Sequence, residues 1–245
     1  MDDTELPDHR ALLAAVDWPA LEVPHPTDRL DAALLARMTD PDPAERSRAL
    51  DRVFDLVDHQ ETVYGATPWV ARYVAAVLWD PDVLAGPPSY RAGLLRQIAR
   101  MADDAEEARV AAAFWGTAED EEHPPLREFW ALRPELFAAV RPFLADAHPD
   151  VRAAALFAAL PLSEHPGLAG YRPELAGHAE RFLAASTDRY RRGRVLGVLR
   201  RWGRDTAGLE TAEDRAAREE NLRQLADFKA RGYIVPSLGP VREEG

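Results

Sequence analysis

Four phrases in this chain share one form, a polar run, then an arginine, then an apolar residue four positions later. They are DPDPAERSRALDRVF at 40–54, DDAEEARVAAAFW at 103–115, HPDVRAAALFAAL at 148–160 and STDRYRRGRVLGVL at 186–199. The pairs are Arg46/Leu50, Arg109/Ala113, Arg152/Leu156 and Arg192/Leu196, with the arginines 63, 43 and 40 residues apart. Residues four apart share one face of a helix. A recurrence near ~40–47 residues is the spacing of stacked helix pairs, each burying its apolar face against the next. In a chain of 245 residues this predicts an all-α fold of about five helical hairpins.

The helix boundaries are written in proline and capping residues. Asp42-Pro43-Ala44-Glu45 supplies a capping side chain, a proline for the first turn and an acid for the third position. Leu50, Val53, Phe54 and Val57 then follow at helical spacing. Thr67-Pro68 is expected to open the next helix, and Pro87-Pro88 to precede another marked by Leu94, Leu95, Ile98 and Met101. Leu136, Phe137, Val140 and Leu144 mark a helix that Pro142 should bend, and Leu175, Ala179 and Leu183 follow Pro173. Thr211-x-x-Asp214 opens a long, mostly polar last helix. No segment alternates in the manner of a strand. The expected organisation is one continuous domain: capping helices over 1–40, repeats over 41–205, and a capping helix with an extended tail over 206–245, the tail lying on that helix through Ile234, Val235 and Leu238.

Charge and composition narrow the function. A net charge of -12 argues against general nucleic-acid binding, which draws its affinity from neutralised phosphates. It suits a basic partner instead. The chain has no cysteine, which removes thiolate metal sites and cysteine nucleophiles and fits a reducing cytoplasm. MDDTELPDHR at the start lacks the basic and apolar regions of a secretory signal. Lysine occurs once, at Lys229, and asparagine once, at Asn221, so many cationic positions carry arginine through a bias in coding. The seven histidines show no metal spacing, and there is no phosphate loop, dinucleotide fingerprint or nucleophile elbow. No metal or cofactor is expected.

The repeated phrases resemble bacterial HEAT-like repeats. The segment His59-Gln60-Glu61-Thr62-Val63-Tyr64-Gly65-Ala66-Thr67-Pro68 is similar to a His-Gln-x-Thr-x-Tyr-x-Ala-Thr-Pro phrase between the two helices of an early repeat in a group of such proteins. Glu61 departs from the glycine usual there, which alters the turn rather than the fold. The resemblance covers roughly residues 28–205 and implies a right-handed α-α superhelix of the HEAT or armadillo type. It also implies a protein-binding scaffold, since HEAT arrays commonly serve as accessory subunits or modulators; one HEAT-like family removes alkylated bases from DNA, and phycobilisome-type chromophore lyases share the repeat class.

Two groups of residues stand out as candidate binding sites. At 100° per residue, Arg189, Arg194, Arg200, Arg201 and Arg204 fall within one arc of about 140°, with Val195, Val198, Leu199 and Trp202 opposite. They form either a docking ridge or a solvated face paired to neighbouring acids. His59, Gln60 and Tyr64 form either a polar pocket or a turn whose side chains satisfy backbone groups. The acidic runs Asp103, Asp104, Glu106, Glu107 and Glu119–Glu122 offer a surface for a cationic protein, or else, in the first run, a helix N-terminus stabilised by its acids. The leading expectation is a noncatalytic protein-binding module, a regulator or immunity-type inhibitor of a basic partner. The alternative is a HEAT-like DNA-repair glycosylase.

Overall fold

Aspartate and proline set where the helices begin. Asp42, Asp80 and Asp188 each accept a hydrogen bond from a backbone N–H of the first turn they precede, and Thr211 with Asp214 forms a reciprocal capping box. A computed structural model describes residues 7–59, 62–115 and 123–231. Those residues contain helices and no strand. The α-helices are α1 (His9–Ala15), α2 (Ala32–Ala36), α3 (Pro43–Val57), α4 (Ala66–Val77), α5 (Pro81–Ala85) and α6 (Pro88–Trp115). They continue with α7 (Pro124–Val140), α8 (Pro149–Leu162), α9 (Arg172–Ala185), α10 (Arg189–Arg201) and α11 (Ala212–Ala230). Five of them start at a proline, whose missing N–H costs nothing in a first turn.

Two compact units divide the chain, Met1–Ala169 and Gly170–Gly245. In the first, α6 lies along α8, α4 packs on α6 and α7, and α3 touches α2 and α6. Val70, Tyr73, Leu94, Ile98, Phe129, Leu136, Phe137 and Val151 fill the space between them. Each large apolar side chain so buried contributes about 1.5–3 kcal/mol. The N-terminal helices are fastened through Tyr73, whose hydroxyl donates to the Leu35 carbonyl at 2.9 Å and whose ring meets the edge of Trp18 at 5.8 Å. In the second unit, α10 packs between α9 and α11, burying Leu175, Ala179, Leu183, Val195, Leu196 and Leu199.

The structure departs from the sequence expectation in three places. The run 103–115 belongs to the later part of α6, a helix of 28 residues. Arg109 therefore opens no helix, and Asp103 and Asp104 sit in no first turn. The reason is local: between Gly93 and Gly116 there is neither proline nor glycine, so nothing interrupts the helical backbone. Likewise α4 begins at Ala66, with Gly65 as its N-cap, one residue before Thr67. Pro142 does more than bend the helix expected through Leu144: α7 ends at Val140 and the chain tightens into a 3-10 turn over Arg141–Ala145. Ile234, Val235 and Leu238 lie outside the described residues, as do Gln60 and Glu119–Glu122.

Candidate functional site

Six arginines occupy the fourth position of their helices: Arg46 in α3, Arg91 in α6, Arg127 in α7, Arg152 in α8, Arg192 in α10 and Arg215 in α11. A side chain there leans back over the preceding turn, towards the carbonyls that end the previous element. Arg91 donates to Leu84 and Gly86 carbonyls at 2.9 Å each. Arg152 reaches the Asp146 and Ala147 carbonyls at 2.8 Å each. Arg192 donates to the Leu183 carbonyl, to Ser186 at 3.1 Å and to Leu209 at 2.9 Å. These carbonyls are the acceptors a helix or turn leaves unsatisfied. Arg91 is the member that Arg109 displaces in a reading by phrase alone. Its frame, Pro88-Ser89-Tyr90-Arg91, matches Pro43-Ala44-Glu45-Arg46 and Pro149-Asp150-Val151-Arg152, and that match is the signal that finds it.

Arg46 differs from Arg91, Arg152 and Arg192. It is 6% exposed, its Nε is enclosed without a partner, and no described residue accepts a hydrogen bond from its guanidinium. The group lies 5.3 Å from the centre of the Tyr90 ring. Glu45, its neighbour in sequence, is engaged by Arg37 and Arg48 at 2.5 Å each. Arg46 and Tyr90 line a groove of about 360 Å³ that also takes in Ser47, Ser89, Arg96 and Gln97. The groove runs from the first turns of α3 and α6 towards Asp51 and Gln97. The Tyr90 hydroxyl is fixed on the Met38 carbonyl at 2.6 Å. Burial pushes that phenol well above its ordinary pKa, against the pull of Arg46.

The arginine stripe lies on α10 and just beyond it, and its members have partners close by. Arg200 stands 3.9 Å from Glu210 and Arg204 3.3 Å from Glu180. Arg194 and Arg201 also have partners, while Arg189 is exposed. Trp202 has the Arg172 guanidinium 5.8 Å above its ring. On the hydrophobic side of α10, Arg192 is buried against Asp214, with Nη2–Oδ2 at 2.6 Å and Nε–Oδ2 at 3.0 Å. Burial opposes the Asp214 charge, but the Arg192 and Thr211 hydrogen bonds outweigh it and hold the carboxyl below its usual range.

His59 and Tyr64 sit in the turn before α4. The His59 ring lies 5.1 Å from that of His25. The Tyr64 N–H donates to Thr67 Oγ1 at 3.0 Å, and the Ala66 N–H to the Glu22 carbonyl at 2.9 Å. A Cβ on Gly65 would stand 3.2 Å from Glu22 Cβ, so the glycine permits a close approach. These bonds tie the turn to the N-terminal segment.

The acidic run of α6 has two behaviours. Glu106 pairs with Arg109 at 2.7 Å and with Arg133 at 2.8 Å. Arg133 is 1% exposed and lies 4.5 Å over the Trp130 ring. Asp104 is pushed up to about 7, first by burial, then by the charge of Asp58, with Asp103 and Glu107 adding and Arg100 opposing. Arg100 itself is held by Asp58 at 2.6 Å.

No family model matches this chain, and no curated protein or solved structure shows significant similarity to it. Among the described residues no three His, Asp or Glu side chains gather in a way that could hold a metal ion. None of the described helices is long and apolar enough to cross a membrane.

Proposed function

We propose that this chain is a HEAT-like helical-repeat module, a right-handed superhelix of stacked hairpins in the cytoplasm, that binds a basic protein without catalysing a reaction. The docking face is the acidic side of α6 around Asp103, Asp104 and Glu107. The observation that carries this reading is the grouping of Asp103, Asp104 and Glu107 within about one turn of α6, where burial and the neighbouring acids raise the Asp104 carboxyl. A cation brought by a partner relieves that repulsion, so docking gains from a charge the free protein carries at a cost. The recurrence of an arginine at the fourth helical position, in Arg46, Arg91, Arg152 and Arg192, supports the repeat architecture.

A basic partner lowers the Asp104 pKa on docking, so binding releases a proton near neutral pH and strengthens as pH rises through 7. Calorimetry of the partner in buffers of differing ionisation enthalpy measures that proton. Release of a proton by the wild type, and its loss in Asp104→Asn, is the expected pair of results. Binding that is independent of pH and unchanged in Asp104→Asn removes this face from the interface.

A further inference from the structure

The groove between α3 and α6 is lined by the buried Arg46, which has no carboxylate partner among the described residues, with the exposed Asp51 further along it. Leaving a charged group out of water without a carboxylate or an acceptor is expensive, and an orphaned buried donor calls for a cause. Arg91, Arg152 and Arg192, in the same helical position, each hold carbonyls; Arg46 has none among the described residues. Three further features converge on the same space. Arg96, one further cation on the groove wall, is exposed and has no carboxylate partner among the described residues. Ser89 brings a hydroxyl to the same wall, while the Ser47 hydroxyl beside it donates to the Pro43 carbonyl at 3.0 Å. Both α3, of 15 residues, and α6, of 28, begin at this end, so their N-terminal dipoles add positive potential there.

We propose that this groove is a binding site for a phosphate group, held by the Arg46 and Arg96 guanidinium groups with the Ser89 hydroxyl. The guanidinium fork suits a phosphate through paired N–H···O bonds. Two arginines and two helix ends favour a dianion over a single carboxylate charge. Tyr90 fixes the Arg46 plane from one side, through the ring contact and its own bond to the Met38 carbonyl. The proposal concerns a different surface from the acidic face of α6 and stands independently of it.

The test is calorimetric titration of the full chain with inorganic phosphate, with ionic strength matched by chloride. Saturable binding is expected for the wild type. Arg96→Glu, an exposed change, should weaken it by at least about tenfold, as loss of a charge-assisted pair implies. Arg52→Glu, the same charge change on α3 outside the groove, should leave affinity within about twofold. Arg46→Met should abolish binding without lowering the melting temperature measured in the absence of phosphate. Absence of saturable binding overturns the site, as does an equal loss in Arg52→Glu and Arg96→Glu, or acetate binding as tightly as phosphate. Phosphoserine binding more tightly than the free ion assigns the group to a phosphorylated serine, and the reverse order assigns free phosphate; either order supports the site.

Discussion

Asp214 and Asp104 show how the same side chain serves opposite ends in different surroundings. Asp214 accepts from Arg192 and from Thr211, so its depressed carboxyl stabilises the fold above the ordinary carboxylate pKa and loses that contribution as pH falls through its native value. Replacing it by alanine leaves Arg192 buried without its anion and removes half of a capping box; the expected cost is about 3–5 kcal/mol, read as a lower urea midpoint at pH 7. Asp104 runs the other way. Because its native pKa is raised to about 7, the folded chain binds more protons than the unfolded one between about pH 4 and 7, and stability falls as pH rises through that window. Asp104→Asn should raise stability at pH 8 by about 1–2 kcal/mol, solvent screening at this half-buried site holding it below the full linkage value. The same substitution should change little at pH 4. Urea unfolding at the two values checks both the size and the sign. Arg133, 1% exposed and paired to Glu106, gives a third test. Arg133→Ala should cost about 3–5 kcal/mol by leaving Glu106 with Arg109 alone and opening space beneath Trp130.

At the scale of the element, what is legible in the sequence is what local chemistry decides. The starts of α3, α8 and α11 follow from a capping side chain or a first-turn proline, and the end of α7 follows from Pro142. These effects act within one turn and need no tertiary partner. The extent of α6 is harder to read, because the acids at 103–107 suit a first turn and a solvated helix face equally well. The candidate residues divide in the same way. The stripe from Arg189 to Arg204 is legible as an arc on a helix, yet its partners Glu180 and Glu210 come from outside α10 and cannot be paired to it by spacing. Arg46 and Arg91 are visible as letters, but that one is satisfied and the other is not depends on which carbonyls the preceding segment presents. Thr211→Ala tests capping directly, with an expected loss of about 0.5–2 kcal/mol in thermal or urea unfolding. At Gly86, a Cβ would fall 2.9 Å from the Asp82 carbonyl oxygen, so Gly86→Ala should cost about 1–3 kcal/mol by forcing the α5–α6 turn apart.

For the whole molecule, the first of the two units, Met1–Ala169 and Gly170–Gly245, carries the surfaces on which the proposals rest. The acidic face of α6 and the arginine-lined groove both lie in the first unit, on a chain with a net charge of -12. Such a charge draws cationic proteins towards it at long range and makes the encounter sensitive to salt. The most direct measurement is capture from lysate of the source cells on immobilised chain. Wild type is compared with a variant in which Asp103, Asp104 and Glu107 are each replaced by lysine. One basic protein retained in near-stoichiometric amount by the wild type, and lost by the reversed chain, is the expected result. The same proteins on both, or nucleic acid that is retained and then lost on reversing Arg194 and Arg201, would contradict the proposed binding module and favour a glycosylase-like enzyme.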